Sequence, residues 1–514
     1  MTVSPTFEEF GKLYDSGESQ VVWTNLVADL ETPVSAMLKL AEGSCNSFLL
    51  ESVEGGAVRG RYSIIGMNPD LIWRCHGNHA EINRRALSDA KSFERCDEGS
   101  LDALRGLIDE SRIELPEELP PMAAGLVGYM SYDTVRLMER LPEPNPEVIK
   151  IPDGIFLRPT IMAIFDSVKD IVTFVTPVRP GPGINAQQAY QDAIDTLFEA
   201  TAGLENSLHH AHGRHEGQLE LPEPSSNMTR QAYCVMVEKA KEYIAAGDIF
   251  QTVLSQRFSL PFSLPPFALY RALRRTNPSP FMYYLQLDGF SIVGSSPEIL
   301  VRLRDDTVTV RPIAGTRPRG IDREEDEALA RDLLSDPKEL AEHLMLLDLG
   351  RNDVGRVARI GTVEVTEHMV IENYSHVMHI VSNVEGTIDE NFDAMDALCG
   401  AFPAGTVSGA PKVRAMEIID ELEPEKRGVY AGAIGYFSAN GSMDTCIALR
   451  TAVVMDGMMY VQAGGGIVAD SDPDAEFEES CNKAKALIRA AEEAVRFATE
   501  PAISNGPRAV TGLR

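Results

Sequence analysis

"IVGSSPEILVRLRDDTVTVRPI", residues 292–313, holds two β-rich runs, 292–303 and 307–313, set apart by the polar pair Asp305-Asp306. So short a connection has no room for a crossover helix, so the runs are expected to form a hairpin and pair antiparallel. Elsewhere β-rich runs such as "SFLLESV" (47–53), "YSIIGM" (62–67) and "DIVTFVTPV" (170–178) alternate with helix-like stretches such as "TPVSAMLKLAEG" (32–43). An antiparallel hairpin within such a mixture predicts an α+β fold rather than a doubly wound α/β one.

With 514 residues, 44% of them hydrophobic, the chain can bury a sizeable core in two to four domains or one intertwined unit. Its 77 acidic residues against 47 basic ones give a formal charge of −30, which argues against nucleic acid as a partner, since phosphate binding needs clustered Lys and Arg. Seven scattered cysteines form no C-x-x-C pair, so neither a disulfide framework nor a zinc site is expected. No run approaches the roughly 18 apolar residues of a membrane span, and the N-terminus has no apolar signal core. A cytoplasmic protein with no membrane association is expected. Residues 201–228 are polar and rich in Gly and Pro, and divide an N-terminal region (1–200) from a C-terminal one (229–500) that ends in a tail, 501–514. Of the ten histidines, His209, His210, His212 and His215 lie in that divider; a solvated loop explains them without a metal.

The chemistry gathers in two acidic helices. In "DPKELAEHLMLLDLGRNDV" (336–354), Asp336 can cap the helix, Pro337 suits its first position, and Leu340, Leu344 and Leu347 are expected to form the buried stripe. Glu339 stands where a side chain can reach back to the cap amide, and Glu342 one turn further on. "DSDPDAEFEESCNKAKAL" (470–487) repeats the arrangement, with Ser471 or Asp472 as cap and Glu476 and Glu479 spaced i, i+3; Lys483 could pair with Glu479. If the helices face one another, their carboxylates offer hard oxygen ligands of the kind Mg2+ takes.

Three Gly-rich turns follow strand-like runs: "RPIAGTRPRG" (311–320), "FPAGTVSGAPKVRAMEII" (402–419) and "MMYVQAGGGIVADS" (458–471). Glycine there lets backbone amides approach an anion, although "SGAPK" lacks the spacing of a nucleotide-binding P-loop, which excludes ATP on that motif. Arg450, inside what reads as the apolar strand "TCIALRTAVV", needs a carboxylate partner, either internal or on a ligand.

Taken together, "PIAGTRPRG", "AEHLMLLDLGRND", "VMHIVSNVEG", "FPAGTVSGAPKVRAMEIIDELEP", "DTCIALRTAV", "VQAGGGIVADSDP" and "ESCNKAKAL" closely resemble the chorismate-utilising enzymes, and among them the large (component I) subunits of anthranilate synthases. The resemblance is dense over residues 230–495 and looser before them, through "LLES" (49–52) and "RYSIIG" (61–66). It implies antiparallel sheets packed face to face with helices outside. It also implies a Mg2+-dependent carbon-oxygen lyase that makes anthranilate and pyruvate from chorismate and ammonia. Glu342 and Glu479 are then metal ligands with Glu339 and Glu476 close by. Arg450 and Tyr430 meet the enolpyruvyl carboxylate, and Gly464, Gly466, the Gly315-Thr316 turn and Thr406 complete the substrate cradle. Glu339 would protonate the departing hydroxyl and His379 would assist loss of the C2 proton, fitting an imidazole near its ordinary pKa, with Thr316 beside them. His379 could equally be a core histidine; nearby His376 shows how little one His means.

The resemblance also separates relatives. Aminodeoxychorismate synthases carry a nucleophilic lysine where this chain has Ala314, and isochorismate and salicylate synthases a water-activating lysine where it has Gln251; neither residue can do that work. No cysteine lies in the G-x-C-x-G setting of a glutaminase, so a separate glutamine amidotransferase subunit (component II) is expected to supply ammonia. "LLES" and "NPSPFMYYLQ" (277–286) resemble tryptophan-binding segments, giving Ser52, Pro280, Phe281 and Met282 as inhibitor contacts, although a turn and strand core also explain them. A noncatalytic amino-acid-binding subunit is the alternative from another class; keeping Glu342, Glu479, His379 and Arg450 together argues against it.

Overall fold

The computed structural model describes residues 2–41, 43–52, 60–208, 221–374 and 377–499. The hairpin forms: Ile299–Arg304 pairs antiparallel with Thr307–Val310, and Asp305 and Asp306 take φ of 49° and 60°, the left-handed turn that matches strand twist. The run 292–303, however, is two strands. Phe290–Ser296 and Ile299–Arg304 part at Pro297-Glu298, because proline has no N–H for a ladder and the two pieces serve different neighbours. The first pairs with Phe281–Leu287 and Thr451–Met455, the second with the hairpin and Met443–Ile447. The run 307–313 is likewise broken, resuming as Ile313–Pro318.

Every strand pairing among the described residues is antiparallel, and helices accompany the sheets, so the fold is α+β. Alternating strand residues sort into separate cores, as a period of two requires. Tyr283, Leu285, Leu157, Ile434 and Val453 belong to a core built from strands, the interior of a face-to-face sandwich. Their neighbours Met282 and Tyr284 turn outward to a core shared with the helices Ala186–Gly203, Pro266–Thr276 and Pro473–Thr499. Phe156, Ala433 and Phe437 turn to one shared with Ser100–Glu110, Pro337–Gly355 and Ala394–Ala401. The long strands Tyr62–His76 and Gly154–Asp166 pair with a register shift between Pro69 and Leu71, and lead from the core that holds Met67 and Ile161 to the one that holds Trp73 and Phe156.

The regions on either side of residues 201–228 share these sheets: Ser47–Glu51 pairs with Phe281–Leu287, and Gly125–Met130 with Ala433–Ser438. The divider begins as the end of the helix Ala186–Gly203, and its Ser225-Ser226 pairs with Phe258-Ser259. The four histidines 209, 210, 212 and 215, His376 and the tail 501–514 lie outside the described residues. No described helix is long and apolar enough to cross a membrane.

Candidate active site

The helix Pro337–Gly355 starts as its sequence dictates: Asp336 accepts from the amides of Lys338 and Glu339 at 3.0 and 3.4 Å. Its buried face meets the expected one at Leu347, with Leu340 half-buried, and departs from it at Leu344. His343, Leu346, Leu347, Gly350 and Val354 are buried, whereas Leu344 is 48% exposed, because the sheet covers a face one position further round. Glu339 does not close a capping box; its carboxylate receives Arg317 Nη1 at 3.3 Å, a guanidinium that also holds Asp332 and Asp336.

The helix Pro473–Thr499 is capped by Asp472, which accepts from the Ala475 amide at 2.9 Å, while Ser471 Oγ receives the Val468 amide. Lys338 Nζ spans to Asp470 Oδ2 at 3.1 Å, tying the first helix to the approach of the second. Their carboxylates act on one another. Burial pushes the Glu342 carboxyl up, and the charges of Glu339 and Glu479 push it further. Burial and then Glu479 do the same to Glu476, whose Oε2 is buried without a partner. Glu479 pairs with Lys483 at 2.8 Å, as its spacing allows. The strand Met458–Ile467 runs past them on glycines; a Cβ at Gly465 would lie 2.9 Å from Glu476 Oε2. Among the described residues no three acidic, His or Cys side chains are gathered as a preformed ion cage. Mutually repelling carboxylates and an orphaned buried oxygen nonetheless suit a hard divalent cation, since Mg2+ needs only one or two carboxylates beside water and substrate.

Opposite lies Ile313–Pro318, whose register against Val377–Thr387 slips between Ala314 and Thr316. Gly315 makes the slip, with φ of +74° and tight quarters for a Cβ, which would stand 3.1 Å from Glu339 Oε2. Thr316 faces His379, whose Nδ1 is 2.9 Å from the Gly315 carbonyl and 3.1 Å from Thr316 Oγ1. A carbonyl only accepts, so Nδ1 carries the proton and Nε2 keeps its lone pair. Burial, aided by the charge of Arg450, lowers the His379 pKa, correcting the expectation of an ordinary one.

Arg450 is not within a strand. It sits at φ of +46° between Met443–Ile447 and Thr451–Met455. Burial lowers its pKa, and among the described residues no carboxylate pairs with its guanidinium. Of its two proposed partners, an internal carboxylate is therefore absent from these residues. Tyr430 is buried, and Gly464 and Gly466 lie opposite Ser255 and Val253. Thr406 Oγ1 is buried without a partner, as is Gln251 Oε1, while Gln251 Nε2 reaches Glu342 at 3.4 Å.

Two groups escaped the sequence reading. Glu298 is buried beside the small cavity that Thr406 lines, and burial pushes its carboxyl up to about 8, leaving it protonated at neutral pH. Tyr374 packs its ring against His379 at 5.3 Å and donates to Glu372 at 3.1 Å. Glu298 in "SSPEIL" carries the same sequence mark as Arg450, a charge inside an apolar run.

Ser52, Pro280, Phe281 and Met282 all line one cavity of about 550 Å3, because Glu51 stands opposite Met282 in the register. Met282 is also core, so its two readings coexist. The far wall is Ile313, Glu372 and Tyr374, which borders the His379 side of the site. The cavity also takes in Asp444, pushed up to about 6 by burial, with an unpartnered Oδ1.

This site on this fold defines a class: residues 64–489 match the chorismate binding enzymes, and the chain belongs to that family. Within it the chain is 59% identical over 494 residues to the anthranilate synthase component 1 of Cereibacter sphaeroides, covering 96% of this chain and 98% of that one. It is 49% identical to the component 1 of Pseudomonas aeruginosa, over 94% of this chain and 98% of the relative. The crystal structure of anthranilate synthase component I from Streptococcus pneumoniae superposes with a TM-score of 0.73 at 38% identity, over 84% of this chain and 93% of that one. The menaquinone-specific isochorismate synthase MenF of Escherichia coli, 20% identical with a TM-score of 0.67 over 94% of this chain and 98% of its own, shares the fold.

Proposed function

We propose that this chain is the large subunit of an anthranilate synthase, a cytoplasmic lyase of tryptophan biosynthesis that converts chorismate and ammonia to anthranilate, pyruvate and water. The observation that carries the reading is a split of charge: crowded carboxylates on two helices, and near His379 a largely buried guanidinium with no carboxylate of its own among the described residues. A substrate with two carboxylates fits such a site at both ends. Mg2+ held by Glu342 and Glu479, with Glu339 and Glu476 beside them, would supply the positive charge that offsets one of them.

Arg450 and Tyr430 would bind the second carboxylate, with the amides around Gly464, Gly466 and Gly315-Thr316 turned to it. Ammonia adds at C2 and the C4 hydroxyl leaves as water. Glu339 would be the proton donor for that step; Glu298, raised by burial and lining the small cavity with Thr406, is a second candidate. Pyruvate is then eliminated, and His379 Nε2 would take the C2 proton, a reading supported by Gly315 and Thr316 engaging Nδ1. Ala314 offers no amine to attack C2 and Gln251 no base to activate water, which favours anthranilate over aminodeoxychorismate or isochorismate. Ammonia would come from a glutamine amidotransferase subunit, in keeping with relatives named component 1. Tryptophan in the 550 Å3 cavity would inhibit through the shared wall at Tyr374, favouring a state that handles chorismate poorly.

The test is direct. The pure chain, given chorismate, Mg2+ and ammonium, should generate anthranilate fluorescence that tryptophan suppresses in the natural chain and much less in Ser52→Ala. Formation of aminodeoxychorismate or isochorismate instead would overturn the assignment, and inhibition unchanged in Ser52→Ala would remove that residue from the effector site.

A further inference from the structure

The candidate contacts Thr406, Tyr430, Gly464 and Gly466 come from separate segments, and their spacing must be set by something behind them. That place is occupied by Glu423 and Arg427, whose side chains are 3% and 1% exposed. Arg427 grips Glu423 with two prongs, Nε to Oε2 at 2.9 Å and Nη2 to Oε1 at 2.6 Å. Its remaining reach goes to main chain: Nη1 donates to the Val407 carbonyl at 2.8 Å and Nη2 to the Val253 carbonyl at 2.6 Å. Glu423 Oε1 in turn accepts the amide and hydroxyl of Ser255, both at 2.8 Å. The guanidinium lies 4.7 Å from the Tyr132 ring centre and 5.5 Å from that of Tyr430.

Each of these anchors is one step from a candidate contact. Val407 follows Thr406; Val253 stands opposite Gly466 and Ser255 opposite Gly464; the Tyr430 ring is touched directly. We propose that Arg427, oriented by Glu423, is the positioning residue of the substrate cradle, a single buried fork that fixes the mutual spacing of Thr406, Tyr430, Gly464 and Gly466. The proposal rests on the chorismate reading above. Arginine is required because a planar guanidinium can serve a carboxylate, two carbonyls and an aromatic face at once, whereas an ammonium is a point charge with three donors. Burial of the pair is what gives the fork its rigidity, since neither partner has water to turn to.

A purely structural pair would affect stability alone, so the experiment separates the two roles. Arg427→Lys and Glu423→Gln are compared in the full chain with Arg158→Lys, which trims another largely buried arginine, one held by Asp70 and Glu110 in the N-terminal sheets. With ammonium as nitrogen source, Arg427→Lys should raise the KM for chorismate about tenfold or more and change kcat far less, because the cradle binds ground state and transition state alike. Glu423→Gln, which drops the charge and leaves one accepting oxygen where the carboxylate has two, should raise KM in the same direction, and Arg158→Lys should lose Tm without a change in KM. KM within about twofold of the natural chain in Arg427→Lys, or in Glu423→Gln should the lysine variant not fold, overturns the proposal, as does an equal rise in Arg158→Lys. If the natural chain makes no anthranilate, the functional reading falls separately. Chorismate affinity of the same proteins, measured by calorimetry without ammonium, then decides the positioning role by the same criteria.

Discussion

Arg427 and Arg450 are both sunk in the C-terminal half of the chain, and the fold treats them in opposite ways. Arg427 is saturated by a bidentate carboxylate and two carbonyls. Arg450 is left, among the described residues, with no carboxylate at all. The same contrast separates Glu423, which accepts from Arg427 and Ser255, from Glu476, whose Oε2 is orphaned. A folded chain does not leave a buried charge unanswered without cost. At the proposed site the saturated groups would serve as scaffold, and the unsaturated ones are where a ligand would supply the missing partner.

The strongest blow to this contrast would come from the acidic side. Glu479→Ala should cut anthranilate formation about 10³-fold with circular dichroism and Tm near those of the natural chain, because that side chain is half exposed and supports no core. Retained turnover would sever Glu479 from the site. The two arginines offer a sharper comparison. Arg450→Met should lower kcat/KM roughly 10²-fold while leaving denaturant stability unchanged or higher, since it removes an unpaired buried charge; Arg427→Met should lose about 3–5 kcal/mol, leaving Glu423 stranded. Equal losses of stability would erase the distinction.

The third prediction concerns Glu298. Its folded pKa of about 8 exceeds that of an ordinary carboxyl, so between roughly pH 4.5 and 8 the folded chain holds a proton that the unfolded chain has released. Stability from this group is therefore present below that window and is lost as pH rises through it, by about 1.4 kcal/mol per unit at most. Besides removing a candidate proton donor, Glu298→Gln should flatten that part of the stability profile, measured by urea titration at several pH values. An unchanged slope would mean that Glu298 is ionised when buried.

Local signals were legible wherever the cause was local. The hairpin at Asp305-Asp306, the caps at Asp336 and Asp472, and the Glu479–Lys483 pair all follow from residues close together in the chain. The reading went astray where a distant surface decides. Leu344 fits a helical stripe by spacing, yet the sheet covers a face that takes in His343 and Leu346 instead. Pro297 splits what composition presents as one strand, and Arg450 stands at a positive φ outside the strand its apolar neighbours suggested. Tyr374 went unnoticed because nothing around it in sequence says that His379 will be its neighbour; Glu298 carried a local mark, a charge in an apolar run, but none that set it beside Thr406.

The order of residues alone determined the antiparallel pairing, the helix starts, the two acidic pairs and the membership that its motifs announce, because these depend on turn geometry, capping and spacing over a few positions. Which carboxylates repel one another, which arginine is answered and which is not, and that the lining of the 550 Å3 cavity reaches the neighbour of His379 were decided only when the sheets closed. Burial and electrostatic coupling act through space between segments hundreds of residues apart, and no local pattern encodes them.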